Sequence, residues 1–279
     1  MESYNIWVDT SYLCYWTGFS TWVWYKREYD PVVKDDGSFD PMSDPEFKYE
    51  YEKRFRWNIF GSVKNYVPIV DKSKIYFAID CSKKHIWRNH YLDTYKISRR
   101  KGTAKPSEFN WSGVFNYTMD HMLPKYSDAE GMKILYLRGA EGDDIIGVCV
   151  KKFKNEKNII IASDHDLLQL KNYATIVTVR GDEVTTDLSV KDFLLQKILM
   201  GDSSDDIPSV FPRTGEKTAL KYINNRKLLE DKFSEDEQYV KNFKRNLKLV
   251  SFNEIPKEIE NGILKVLSEA DDKVGFSEL

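Results

Sequence analysis

Two regimes of apolar and polar patterning succeed each other along the chain. Short apolar runs at residues 4–9, 74–80 and 159–164 each stop on an aspartate, at Asp9, Asp80 and Asp164. Runs without alternation read as strands covered on both faces, which is the habit of a parallel sheet with helices on either side. Residues 133–137 add another strand. The β-branched run 175–179, a turn at Gly181-Asp182 and residues 183–186 predict a hairpin. Helical spacing follows Asp9, covers residues 46–67, and dominates from Ser189 onward, whereas the Asp-, Pro- and Gly-rich residues 29–44 read as a loop. The aromatic-rich residues 16–25 could be core or a platform for stacked bases, and core is the favoured reading.

A parallel sheet of this kind carries its functional groups at the carboxyl ends of its strands, so Asp9, Asp80 and Asp164 are expected on one edge. More acids join them. Glu141, Asp143 and Asp144 open a helical segment after the 133–137 strand, with Glu141 and Asp144 three apart on one face and Asp143 turned aside. Asp166 follows Asp164 by two, and Asp202 and Asp205 lie in a later Asp- and Ser-rich loop where they could complete a second metal position. Acids in a first helical turn complement the helix dipole, which accounts for one or two of them but not for the whole set. Carboxylates gathered in one cleft repel and raise one another's pKa unless cations hold them, and a donor set of oxygens without His or Cys selects Mg²⁺ or Mn²⁺. Two such ions about 4 Å apart would suit phosphodiester hydrolysis. His165, between two acids, reads as packing or solvent contact.

Composition narrows the class. With 41% hydrophobic and 31% charged residues, 279 residues suit a globular protein with one large domain, or a core with an appendage. No apolar run is long enough for a membrane helix, and Met1-Glu2-Ser3 has no basic n-region, so a cytoplasmic protein is expected. Three widely spaced cysteines, Cys14, Cys81 and Cys149, read as reduced core thiols. The net charge of −2 lacks the global basic signature of many nucleic-acid binders. Local charge is different. Residues 83–105 carry Lys83, Lys84, Arg88, Lys96, Arg99, Arg100, Lys101 and Lys105 against the single acid Asp93, with Trp87, Tyr91 and Tyr95 interleaved. A solvated face usually mixes signs, so this one-sided run points to a polyanion. Gly215 then frees a turn into a helix whose first amides can face a phosphate, and Lys217 can add a charge there. Gly215 is followed by Glu216, so this is no Walker loop.

The ordered set of Val8-Asp9 with Ser11, Ala78-Ile79-Asp80, Trp87-Arg88, residues 95–99, Glu141-Gly142-Asp143-Asp144, residues 163–167, residues 201–208 and residues 215–219 resembles the 5'-nuclease (flap endonuclease) superfamily. It is most similar to the ribonuclease H-type 5'-nucleases of T-even bacteriophages, over most of the chain except residues 20–60. The resemblance implies an α/β, PIN-like 5'-nuclease fold: a catalytic domain over residues 1–187 with a helical arch at about 83–126, and a helical region over 188–279 with a helix-hairpin-helix that grips duplex DNA. It implies 5'-3' exonuclease and flap-endonuclease activity on RNA primers and 5' flaps of lagging-strand fragments. Asp9, Asp80, Asp144 and Asp164 would surround one Mg²⁺, with Glu141 and Asp143 nearby, and Asp166, Asp202 and Asp205 would serve a second; Mn²⁺ would substitute. Lys96 and Arg99 would engage the scissile phosphate, and Arg88, Tyr95 and Arg100 would contact DNA. Gly215, Lys217 and Thr218 would hold the duplex, with K⁺ at the hairpin. The implied protein is a monomer acting on flap, nicked or RNA-primed duplexes, with a single-stranded-DNA-binding protein or sliding clamp as partner. Ser209 and Arg213 stand where many relatives carry glycine, Asp206 where asparagine is usual, and Gly142 for a common alanine. The alternatives are a catalytically inactive DNA-junction binder of the same fold and, more remotely, a phosphatase of small esters.

Overall fold

A computed structural model describes residues 3–29, 31, 39–67, 73–100 and 109–272. The side chains of Arg99 and Arg100, residues 101–108, which include the end of the basic run, and residues 30 and 32–38 of the 29–44 loop lie outside the described residues.

Five parallel strands form one sheet in the order β3-β2-β1-β4-β5: β1 (Tyr4–Asp9), β2 (Lys74–Ile79), β3 (Lys133–Tyr136), β4 (Lys157–Ile161) and β5 (Thr175–Val177). The expected α/β class with a mostly parallel sheet is what the chain adopts. Central β1 pairs with β2 through Val8 and Phe77 and with β4 through Val8 and Ile161, and its Ile6, Trp7 and Val8 are buried. The strand order reverses at β1, so the crevice of the fold opens at the carboxyl ends of β1, β2 and β4. The expected hairpin is reduced to its essentials: Val177 and Glu183 form an antiparallel bridge, and Val184 N donates to Ile176 O at 2.9 Å.

Helices cover both faces. On one lie α1 (Thr10–Glu28), α2 (Pro45–Val63), α4 (Trp111–Tyr117) and α5 (Leu123–Glu130), around a core that includes Phe47, Phe55, Phe77 and Ile161. On the other lie α6 (Gly142–Lys152) and α11 (Lys257–Asp272), around Trp7, Tyr76, Ile146 and Ile263. Trp7 stacks on Tyr76 with ring centroids 4.2 Å apart and donates from its indole to Asn158 Oδ1 at 3.0 Å, so its polar atom is satisfied in the core. A third core joins the short α3 (Ile97–Arg100) region to α7 (Val190–Met200), α8 (Glu216–Asn224), α9 (Arg226–Ser234) and α10 (Glu237–Val250), with Tyr95, Phe211 and Leu249 inside. The final helix thus returns from that helical region to close the sheet's second face.

The helical stretch expected at 46–67 ends at Val63, with Tyr66 and Val67 in turn bonds back to it. The aromatic segment divides: Trp22 and Tyr25 are buried with Phe39 and Phe47, while Phe19 is exposed. Between α4 and α5 a π turn at Thr118–Met122 precedes Pro124, which lacks the N–H for a regular helical bond. All three cysteines are buried and unpaired, as expected.

One turn positions the acidic loop after α7. Gly201 has φ 69°, and a Cβ there would lie 2.3 Å from Ile207 O. Gly201→Ala should therefore cost about 3 kcal/mol or more. Urea unfolding followed by circular dichroism checks this, and an unchanged midpoint would contradict it.

Candidate metal centre

The three strand-end aspartates meet at the crevice. Asp9 ends β1 and caps α1, its Oδ1 accepting from Tyr12 N at 3.0 Å. The cap reading and the site reading hold together, because burial, Asp80 and Asp164 push its pKa up to about 7. Asp80, exposed beyond β2, accepts from Ser11 Oγ at 2.6 Å and from Gly142 N at 2.7 Å. A Cβ on Gly142 would lie 3.2 Å from Asp80 Oδ1, so glycine lets this helix N-terminus approach the carboxylate closely. Asp164 caps the short helical turn after β4 by accepting from Asp166 N at 2.8 Å. His165 is exposed.

At the start of α6, oxygens of Glu141, Asp143 and Asp144 all lie within 4.8 Å of one another. Their environments differ. Asp144 is fully buried; its Oδ1 accepts from Arg88 Nη2 at 2.7 Å, and its Oδ2 accepts from Arg88 Nη1 at 2.8 Å, Trp87 Nε1 at 2.9 Å and Glu141 N at 3.0 Å. Both oxygens of Asp144 are thus engaged by Arg88, Trp87 and the Glu141 amide, and Asp144 is at the same time one of the three acids placed closely enough to share an ion. Glu141 accepts from Arg88 Nη1 and from Tyr95 Oη, each at 2.8 Å, and forms an ion pair with Lys96 Nζ. Burial opposes its charge, but Arg88 and Lys96 hold its carboxyl below the usual range. Asp143, half-buried, receives only the Asp144 amide at 2.7 Å among the described residues. Burial raises its pKa well above the ordinary value, with Arg88 opposing and Asp144 and Glu141 adding to the rise. The residue expected to turn aside is the one left open to a cation.

Two residues expected to contact DNA are buried among these acids. Arg88 is 2% exposed, and besides its two acids it donates from Nε to Leu249 O at 2.7 Å, so it clamps α6 to the end of α10. Tyr95 is likewise buried, with its hydroxyl on Glu141 and 3.4 Å from Asp205 Oδ2. Charge alone in the basic run could not separate an arginine turned inward from one turned to solvent.

A second group lies beside the first. Lys197 Nζ is 2.8 Å from Asp166 Oδ1 and 3.0 Å from Asp202 Oδ2. Burial and Asp164 push Asp166 up to about 6 against the pull of Lys197. Burial acts upward on Asp202 too, but Ser204 and Lys197 bring it down to about 2. Asp205 connects the groups, since Lys96 Nζ is 3.4 Å from Asp205 Oδ2 and Lys96 N donates to Asp205 O at 2.9 Å. Lys96 holds φ 52°, and its ammonium lies among the acids. Lys197 escaped the sequence reading, and Trp87 entered it only as an aromatic of the basic run with no part among the acids. Lys197 stands five before Asp202 across the Gly201 turn, a spacing that has meaning only once the turn is known.

Apart from these groups, Gly215, at the start of α8, and Lys217 are exposed, and Thr218 is half-buried. They adjoin an open groove of about 850 Å³ lined by Thr94, Ile97, Ser209, Arg213 and Gly215. Arg213 adopts φ 59°, and the Ser209 and Thr214 hydroxyls both donate to Phe211 O, at 2.7 and 3.0 Å.

Comparison with known proteins accords with this arrangement. A family model for the 5'-3' exonuclease N-terminal resolvase-like domain matches residues 51–198. The 5'-3' exonuclease of Buchnera aphidicola (subsp. Schizaphis graminum) is 33% identical over 177 residues, which are 58% of this chain and 58% of that protein. Ribonuclease H of Enterobacteria phage T4 is 28% identical over 219 residues, 69% of this chain and 68% of its own length. The chain thus spans less than two thirds of the Buchnera relative. In fold, it is similar to the bacteriophage T5 flap endonuclease solved with DNA and metal ions, at a TM-score of 0.64 and 18% identity, covering 97% of this chain and 100% of that one.

The Arg88 clamp generates a test. Arg88→Met should leave Glu141 and Asp144 buried with fewer partners and lower stability by about 3–5 kcal/mol, read by chemical denaturation of the DNA-free protein. Weakened DNA binding at unchanged stability would contradict the buried role.

Proposed function

We propose, from the premise that the chain belongs to the 5'-3' exonuclease family whose N-terminal domain it matches over residues 51–198, that it is a metal-dependent 5'-nuclease hydrolysing RNA primers and 5' flaps in replication. One observation carries the reading: oxygens of Glu141, Asp143 and Asp144 lie within 4.8 Å of one another beside the strand-end acids, where Arg88, Lys96 and Lys197 do not balance the negative charge and burial pushes the Asp9, Asp143 and Asp166 carboxyls up. The donors there are oxygens, with no His or Cys among them, which fits hard divalent ions such as Mg²⁺, with Mn²⁺ as substitute. Asp9, Asp80, Asp143 and Asp164 would hold one ion and Asp166, Asp202 and Asp205 the other, with Asp144 and Glu141 buttressing the first group through Arg88. When bound, such ions lower the pKa of water and stabilise the leaving oxygen of a phosphodiester.

The chain's own groups bind and orient the substrate. Lys96, whose ammonium pairs with Glu141 and Asp205, would meet the scissile phosphate, and Arg99 and Arg100 would extend the same basic segment. The α8 amides with Gly215, Lys217 and Thr218 would grip the duplex phosphates, a helix N-terminus being a ready anion site. In this reading residues 1–187, with the arch at about 83–126, do the chemistry and residues 188–279 hold the duplex, while α11 serves the catalytic core. K⁺ at the 209–215 hairpin, a monomeric cytoplasmic protein, and a single-stranded-DNA-binding protein or clamp as partner complete the proposal. Among the described residues no helix is long and apolar enough to cross a membrane.

The test is cleavage of labelled 5'-flap and RNA-primed duplexes with Mg²⁺ and with chelator. Asp143→Asn and Asp166→Asn should reduce cleavage to background with the circular dichroism spectrum unchanged; full activity in either rejects the site, and a junction binder would not cleave at all. Lys96→Ala should lower single-turnover cleavage by about a hundredfold or more. Its substrate Kd should change far less, and the reverse pattern would remove Lys96 from the reacting phosphate.

A further inference from the structure

We propose that Lys197 is the resident counter-cation of the second carboxylate group, its ammonium holding Asp166 and Asp202 together until a divalent ion displaces it. The inference rests on the metal-dependent reading above and adds a positioning residue to it. Lys197 projects from α7 with its side chain 18% exposed, and its Nζ lies 2.8 Å from Asp166 Oδ1 and 3.0 Å from Asp202 Oδ2. A lysine serving only to meet DNA would carry its ammonium into solvent, where its strong hydration is kept.

The local backbone builds this bridge. Gly201 N donates to Lys197 O at 2.9 Å to close α7, and the φ of 69° at Gly201 turns the chain so that Asp202 returns over the last helical turn. The Oδ1 of Asp202 is committed to Ser204, accepting from its N at 2.8 Å and its Oγ at 2.7 Å, which leaves Oδ2 for Lys197. Asp166 is fixed separately by the turn that Asp164 caps. Two carboxylates supplied by different elements are therefore joined through one ammonium.

A divalent ion drawing on Asp166 Oδ1 and Asp202 Oδ2 needs direct oxygen contact at about 2.1 Å, and the ammonium contacts both of those atoms. Both cations cannot keep the same contacts, and like charges so close repel. Lys197 must swing away as the ion enters, so the second ion binds more weakly than it would to the same carboxylates without the lysine. The first group differs: Lys96 pairs with Glu141, a buttress of that group, and with Asp205 at the margin of the second, while Asp143 of the first receives only a backbone amide among the described residues. The two ions are accordingly expected to bind with unequal affinity, the first directly and the second against Lys197.

Calorimetric titration of the full chain with Ca²⁺, without DNA, tests this in wild type, Lys197→Met and Lys197→Arg. Wild type should show two binding events, and the weaker should tighten at least tenfold in Lys197→Met, with the stronger unchanged and Lys197→Arg close to wild type. Equal weak-site affinity in wild type and Lys197→Met overturns the proposal while leaving the metal-dependent reading intact. Failure of wild type to bind either Ca²⁺ or Mn²⁺ overturns both, a distinguishable result. Should Lys197→Met melt early in chelator, recovery of the wild-type melting temperature on adding Ca²⁺ supports the proposal, and early melting that no divalent ion reverses overturns it.

Discussion

The guanidinium of Arg88 spends its hydrogen bonds inside the protein, on Asp144, Glu141 and the Leu249 carbonyl. A buried ion pair of this kind adds little net stability against an apolar replacement, because desolvation of the charges offsets their attraction. Its value lies in what it prevents and where it holds things. Two carboxylates at 4 Å and an effective dielectric constant of 20 repel by about 4 kcal/mol, and the guanidinium held between Glu141 and Asp144 offsets that repulsion. The same contact joins the segment after β2, the start of α6 and the end of α10, and so fixes the helical region against the acidic edge of the sheet.

Around this clamp the acids divide by their neighbours. Asp202 is calmed by Ser204 and Lys197, and Glu141 by Arg88 and Lys96, whereas Asp9, Asp143 and Asp166 stay high. Two α-helix N-termini, of α1 and α6, point at this edge and contribute partial positive charge. Asp9 remains high although it caps one of them. The residual negative charge is therefore a property of the whole edge, set by a strand order that converges on β1, rather than of one motif.

Much of this was legible in the chain. Apolar runs ending in Asp9, Asp80 and Asp164 imply a parallel sheet with acids on one edge, because strand direction alone decides where those aspartates go. What was not legible is which atoms fill the space beside each acid. Helical spacing places Glu141 and Asp144 on one face, and they do share it, but that face turns inward to Arg88, leaving Asp143 for the crevice. A basic run has no internal signal for the one arginine that is buried, and only the packing of Trp87 and Leu249 reveals it. Lys197 was equally silent, since its partners come from β4's following turn and from beyond Gly201. Nor does the spacing of the last helix say that it crosses back under the sheet.

Those hidden contacts share a consequence for how the basic segment is attached. Lys96 carries a left-handed backbone, a conformation that costs a non-glycine residue about 1 kcal/mol, and its amide donates to Asp205 O. Two residues on, Ser98 donates from its amide at 2.9 Å and its hydroxyl at 2.8 Å to Asp206 Oδ2. The middle of the basic run is thus bonded to the loop that carries Asp202 and Asp205. That loop is in turn locked by Gly201 and held to Asp166 through Lys197. The basic segment and the acidic loop are therefore one mechanical unit, so neither can be displaced without moving the other.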